Sequence, residues 1–132
     1  LTQANLLNNI ITTADSCLLL QHPGATLRFA HESDVMPLVC LLNLNHYGET
    51  IDDLEQLDDR GWNNYDIYPM ACNVQFIFYK PNTATDLTNA DILVKVLLNE
   101  NEATLPISTD KAPYYHWKDV RAYLLHRLEQ LK

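Results

Sequence analysis

Residues 25–38 constrain the fold more than any other stretch. They read Ala25-Thr26-Leu27-Arg28-Phe29-Ala30-His31-Glu32-Ser33-Asp34-Val35-Met36-Pro37-Leu38. Residues 26–30 have the character of a short strand, and the chain then turns at once into a helix. Ser33 or Asp34 is the expected N-cap. Pro37 is expected within the first turn, where a missing N–H costs little. Met36, Leu38, Val39, Cys40, Leu41 and Leu42 make the helix apolar on most sides, which predicts burial.

The chemistry gathers where strand meets helix. A histidine and a carboxylate at a strand's carboxyl end, facing a helix amino terminus, form a compact anion-handling site. Helix amides and a protonated His31 hold a phosphate, and Glu32 offers a proton. Taken alone the pair is a weak signal, because a surface His and Glu meet at many turns. Arg28 is open to two readings: it points to the phosphate, or it is a solvent-facing or ion-paired strand arginine.

Elsewhere the pattern is that of packing. Residues 2–20 repeat Leu7, Ile10 or Ile11, Ala14 and Leu18 at helical spacing, with Thr2 placed to cap the start and His22-Pro23-Gly24 to end the helix. Residues 73–79 alternate Val74, Phe76 and Phe78 against Gln75, Ile77 and Tyr79. Residues 92–98 place Ile92, Val94, Val96 and Leu98 on one face. The connector from Lys80 to Asp91 is polar and contains Pro81, Asn82 and Asn89, so the two strands read as a long antiparallel hairpin. Residues 99–113 form an irregular link. Residues 115–131 put Trp117, Val120, Leu124, Leu128 and Leu131 on one helical stripe, with His116 and His126 on its flank. Trp117 and Tyr114-Tyr115 read as packing residues, since no basic groove accompanies them. Asn73 reads as a turn or cap residue.

Residues 45–66 carry Glu49, Asp52, Asp53, Glu55, Asp58, Asp59 and Asp66 against one Arg60. Ile51, Leu54 and Leu57 could seat a short helix there. The acidic bias reads as a solvated face, and the EF-hand order of a calcium loop is absent. No metal or cofactor is expected. Across the 132 residues the formal charge is −8, which argues against nucleic-acid binding, where affinity rests on neutralising phosphates. No apolar run approaches the ~20 residues of a membrane span. The three cysteines, Cys17, Cys40 and Cys72, lack zinc or redox spacing and are expected as buried free thiols. Leu1 is not a methionine and no signal peptide follows it, so the chain reads as processed or excised. Three strands against three helices make a thin α/β sheet, and residues 26–30 look central in it. The chain therefore reads as part of a larger domain.

The run Leu27-Arg28-Phe29-Ala30-His31-Glu32, followed by its apolar helix, resembles the C-terminal His-acid motif of histidine acid phosphatases. That branch includes phytases and multiple inositol polyphosphate phosphatases. Tyr68-Pro69-Met70-Ala71-Cys72-Asn73-Val74-Gln75-Phe76-Ile77-Phe78-Tyr79 resembles the family's late strand. Leu93 to Glu100 and Tyr114 to Val120 resemble its closing segment, in the same order. The resemblance implies an α/β fold: residues 1–132 as the C-terminal portion of a histidine-phosphatase-like α/β/α sandwich domain. It implies phosphomonoester hydrolysis through a phosphohistidine, with a phosphorylated small molecule as substrate and inositol phosphates as candidates. His31 would bind the transferring phosphoryl group, and Glu32 would protonate the leaving alcohol. The family's nucleophile lies in an Arg-His-Gly-x-Arg-x-Pro motif, which does not occur in this chain. Its partner would be the remainder of the domain or another chain, and its compartment periplasmic or extracellular.

Two departures stand out. The family's commonest form is His-Asp, and a subgroup carries His-Ala-Glu. Here Glu32 follows His31 directly, which leaves Asp34 as a second candidate donor, and Ala30 stands where glycine is usual. The rival reading is a non-catalytic, phosphatase-derived binding module.

Overall fold

The computed structural model describes residues 2–82 and 91–132, the side chain of Thr2 excepted. Most of the expected hairpin connector, and the expected Thr2 cap, therefore fall outside the described residues. The architecture is mixed α/β. The elements, in order, are α1 (Thr2–Cys17), α2 (Glu32–Leu42), the short α3 (Asn64–Ile67), β1 (Val74–Tyr79), β2 (Leu93–Leu98), the two-residue β3 (Asn101–Glu102) and β4 (Tyr115–His116), and α4 (Trp117–Gln130). Single 3-10 turns occupy Leu44–His46 and Leu54–Gln56.

The expected hairpin is present. β1 and β2 pair antiparallel from Val74↔Leu98 to Tyr79↔Leu93. β2 is central, because β3 and β4 share its other edge: Leu98 pairs with Asn101, and Leu93 with His116. Period-2 side chains separate its faces. Ile92, Val94, Val96 and Leu98 are buried, while Leu93, Lys95 and Leu97 are half-buried.

Three helices close over this sheet. Leu7, Ile11 and Ala14 of α1, Val39 and Leu42 of α2, and Val120 and Leu124 of α4 join Val94 and Val96 in one core. Trp117 packs edge-on against Phe78, with centroids 5.0 Å apart. Polar clamps fix the helix angles. Arg121 holds Asp15 of α1 at 2.8–3.1 Å. Tyr123 and Arg127 donate to the last carbonyls of α2, those of Leu42 and Leu41, at 2.9 and 2.7 Å. These are the carbonyls a helix end leaves without partners. α2 then stops on Asn43, whose left-handed φ of 49° is tolerated by asparagine. A Cβ at Gly48 would collide with the Cys40 carbonyl, so only glycine fits the turn that follows.

Several expectations are corrected. Residues 26–30 form no strand. Their alternation is intact, but no described segment pairs with them, and a strand exists only as part of a ladder. α1 ends at Cys17, before His22-Pro23-Gly24, and residues 18–20 continue as turns. The N-cap of α2 is His31, not Ser33 or Asp34. Counting from Glu32, Pro37 is therefore the sixth helical residue, beyond the first turn. It leaves the Ser33 carbonyl without its usual i+4 donor. The free cysteines are half-buried rather than buried. His116 is not on the flank of α4; it is the residue that caps it.

Candidate active site

The segment leading to His31 runs back along α1. None of its amides from Gln21 to Ala30 donates to a backbone carbonyl of the described residues. Side chains hold it instead. The Arg28 guanidinium donates to Asn9 Oδ1 at 2.6 Å and to Thr13 Oγ1 at 2.7 Å. Thr26 Oγ1 meets Cys17 Sγ at 3.3 Å. Thr26 and Arg28 therefore face α1, and the residues that alternate with them face away: Leu27 is 74% and Phe29 94% exposed. Arg28 is exposed, as the second of its two readings has it, but its partners are the neutral Asn9 and Thr13 rather than a carboxylate.

His31 stands where this segment becomes α2. Its backbone is extended (φ −90°, ψ 163°), and its carbonyl accepts from the amides of Asp34 and Val35 at 2.9 and 3.3 Å. Asp34 reaches back with Oδ2 to accept the His31 amide at 3.3 Å. The reach back of Asp34 is the return half of a capping box, and it fixes the angle at which the segment enters the helix. Glu32 is the first helical residue and shares the first turn with Asp34. Both carboxylates sit where the helix dipole favours negative charge. Both are exposed or half-exposed, as is His31.

The loop before β1 closes on the same end. Burial pushes the Cys72 thiol above its ordinary value, and the nearby negative charge of Glu32 raises it further. Met70, beside it in sequence, is 98% exposed. Asn73 is a turn and cap residue: its amide donates to Asn99 Oδ1 at 3.0 Å, and its Nδ2 to the Ala71 carbonyl at 3.2 Å. His31 and Glu32 are thus exposed, with the half-buried Cys72 near Glu32. Arg28 is turned instead to α1.

A second polar cluster escaped the sequence. His116 Nδ1 lies 2.7 Å from Asp91 Oδ1, and its Nε2 lies 2.6 Å from Asp110 Oδ1. It lines a cavity of about 370 Å³ with Ser108, Thr109, Asp110 and Asp119. The only signal was the β2–β4 register, which brings His116 opposite Leu93 and so beside Asp91. Among the described residues, no group of three or more His, Cys, Asp or Glu side chains is arranged to hold a metal ion. Nor is any described helix long and apolar enough to cross a membrane.

A family model, the histidine phosphatase superfamily (branch 2), matches residues 3–99. The match takes in α1, the His31-Glu32 joint and the whole β1–β2 pair, and stops short of residues 114–120. No curated protein matches the chain.

Proposed function

The chain belongs to branch 2 of the histidine phosphatase superfamily, and from that premise we propose that it is the proton-donor part of a histidine acid phosphatase domain, with inositol phosphates as candidate substrates. The phosphatase class follows from the family; the roles of single residues and the substrate are our reading. The observation that carries it is the His31-Glu32 pair at the start of α2, inside the matched region.

In this reading the phosphate monoester lies across the α2 amino terminus, with His31 on the phosphoryl oxygens. A nucleophilic histidine from the remainder of the domain attacks phosphorus. The P–O bond to the alcohol breaks, and Glu32 gives its proton to the leaving oxygen. Water then attacks the phosphohistidine, releasing phosphate and returning a proton to Glu32. Two carboxylates already occupy the first turn of α2, so an incoming phosphate meets repulsion unless one is protonated. In this role Glu32 acts in its protonated state, the one able to deliver a proton. Asp34 is engaged with the His31 amide, which supports Glu32 as the donor.

The exposed Leu27 and Phe29 support residues 1–132 as one part of a larger domain. In the complete protein, residues 26–30 would gain a neighbouring strand, and both side chains would be covered. The non-catalytic module is the second reading, which a native protein lacking an Arg-His-Gly segment upstream would favour.

The test uses the full-length enzyme. Glu32→Gln should slow hydrolysis of alkyl phosphates by roughly 10²–10⁴-fold, the usual range for general acid catalysis. It should slow p-nitrophenyl phosphate far less, since that leaving group departs as an anion. His31→Ala should slow both, through lost charge stabilisation. If Asp34→Asn shows the leaving-group-dependent loss and Glu32→Gln does not, the donor is Asp34. Steady turnover by the isolated chain, abolished by His31→Ala, would contradict the need for a nucleophile from elsewhere.

A further inference from the structure

His116 is held in a way that only one of its protonation states satisfies. Both ring nitrogens face carboxylate oxygens, at 2.7 Å on Asp91 and 2.6 Å on Asp110. A carboxylate only accepts, so both nitrogens must donate, and only the imidazolium carries two N–H groups. The ring itself is enclosed, with 16% of its side chain exposed, whereas Asp91 is 50% and Asp110 73% exposed.

These contacts join three separate pieces of chain. Asp91 precedes β2, Asp110 lies in the irregular link between β3 and β4, and His116 caps α4. Around Asp110 the link is held by a small set of contacts. Thr109 Oγ1 donates to the Tyr114 carbonyl at 2.6 Å, and the Tyr114 amide to the Lys111 carbonyl at 2.8 Å, but both bonds are internal to the link. Beyond them, Asp110–His116, the Lys111–Asp91 pair at 3.6 Å, and the Tyr114 ring against Tyr79 and Lys95 tie this stretch to the sheet.

We propose that His116 is a proton-operated latch: as imidazolium it pins the link at Asp110 to the start of β2, and on losing a proton it frees Asp110 and loosens the link around it. Loss of one proton takes the three side chains from a net charge of −1 to −2, counting one imidazolium and two carboxylates. One nitrogen then presents a lone pair to a carboxylate at hydrogen-bond distance, which is repulsive. Lys111 still holds Asp91, so Asp110, the more exposed of the two, is the partner released. Asp119, in the first turn of α4, lines the same cavity and adds to the repulsion. Lys95 of β2 does not compensate, since it is turned to Glu102 and to the Tyr114 ring.

The electrostatics run the same way. Its bonds to Asp91 and then Asp110 raise His116 above its ordinary 6.5. His116 in turn holds both aspartates below their ordinary 3.8. A histidine raised on folding contributes stability that is complete below its unfolded pKa and is lost as pH rises through the folded one. The aspartates contribute stability present above 3.8 and lost as pH falls through their depressed values. The latch is therefore closed across the mildly acidic range and opens on the alkaline side of 6.5.

Imidazole NMR of the intact chain, with amide hydrogen exchange across about pH 5 to 8, tests this. Both His116 nitrogens should be protonated at the acid end, with a titration midpoint above 6.5. Protection of the Lys111 and Tyr114 amides, corrected for base catalysis, should fall along the same curve. Asp110→Asn, an exposed and nearly isosteric change, should lower the His116 midpoint and leave both amides less protected already at the acid end. A midpoint at or below 6.5 would overturn the latch, as would amide protection that stays flat while His116 titrates. Unaltered loop protection in Asp110→Asn would overturn it as well.

Discussion

The hairpin and the segment before His31 are built from the same alternation and meet opposite fates. Val94, Lys95 and Val96 alternate just as Leu27, Arg28 and Phe29 do. In β2 both edges are paired, and the apolar set lies under three helices. In residues 26–30 neither edge is paired, and the apolar set faces solvent. Yet parity holds in both: Thr26 and Arg28 face α1 as consistently as Val94 and Val96 face the core. Alternation thus decides which side chains share a face. Whether that face is covered depends on a partner, and the partner is not written in the segment's own residues.

The sharpest way to break this comparison is to put the same charge in both places. Val96→Asp places a carboxylate in a site with no exposure. It should cost more than about 4 kcal/mol, the tail of single-substitution effects, and leave the chain largely unfolded. Phe29→Asp should change stability by no more than about 0.5 kcal/mol, as at an ordinary surface position. Chemical denaturation of the two variants reads the difference. A large cost at Phe29 in this chain would mean that the segment is docked, and the contrast would fail. In the full-length protein, the proposed domain completion predicts that Phe29→Ala becomes a core substitution, costing about 3–5 kcal/mol.

The same contrast explains what was legible in the sequence. The mixed α/β class, the hairpin and the stripe on α4 were readable because their apolar periods agree with the partners they meet. Residues 26–30 were misread as a strand because the pattern is a strand's, whatever stands beside it. The start of α2 was displaced because histidine is not a favoured N-cap and Ser33 and Asp34 are. Asp34 does serve the cap, but from the third helical position and by reaching back. His31 and Glu32 stand out as candidates by their chemistry rather than by fold. The His116 cluster was invisible, because Asp91, Asp110 and His116 converge only through the β2–β4 pairing.

A smaller effect is expected at Arg28, which tethers the segment without burying it. Arg28→Ala removes the contacts to Asn9 and Thr13. These are exposed, so the loss should be about 1 kcal/mol or less. Its clearer sign is local. Cleavage by chymotrypsin after Phe29 should already outpace cleavage anywhere in β1 or β2, because an unpaired extended segment fits a protease without unfolding. In Arg28→Ala that nick should be faster still, with nicking of the hairpin unchanged. Equal acceleration in both regions would mean that Arg28 supports the whole core, and the boundary between the two regions would have to move.

The smallest effect is at Asp34, where the two regions meet. Asp34→Asn keeps an oxygen able to accept the His31 amide and loses only the charge at the helix amino terminus. That charge is worth about 0.3–1 kcal/mol at low ionic strength and less in salt. Asp34→Ala loses the oxygen too, so its additional cost should persist in high salt, where the charge contribution is screened. Comparing the denaturation midpoints of both variants at two salt concentrations separates the hydrogen bond from the dipole. If Asn and Ala behave alike, the reach back to His31 contributes nothing. The angle at which residues 26–31 enter α2 would then be set by Arg28 and α1 alone, and His31 would be aimed by the tether rather than by its own helix.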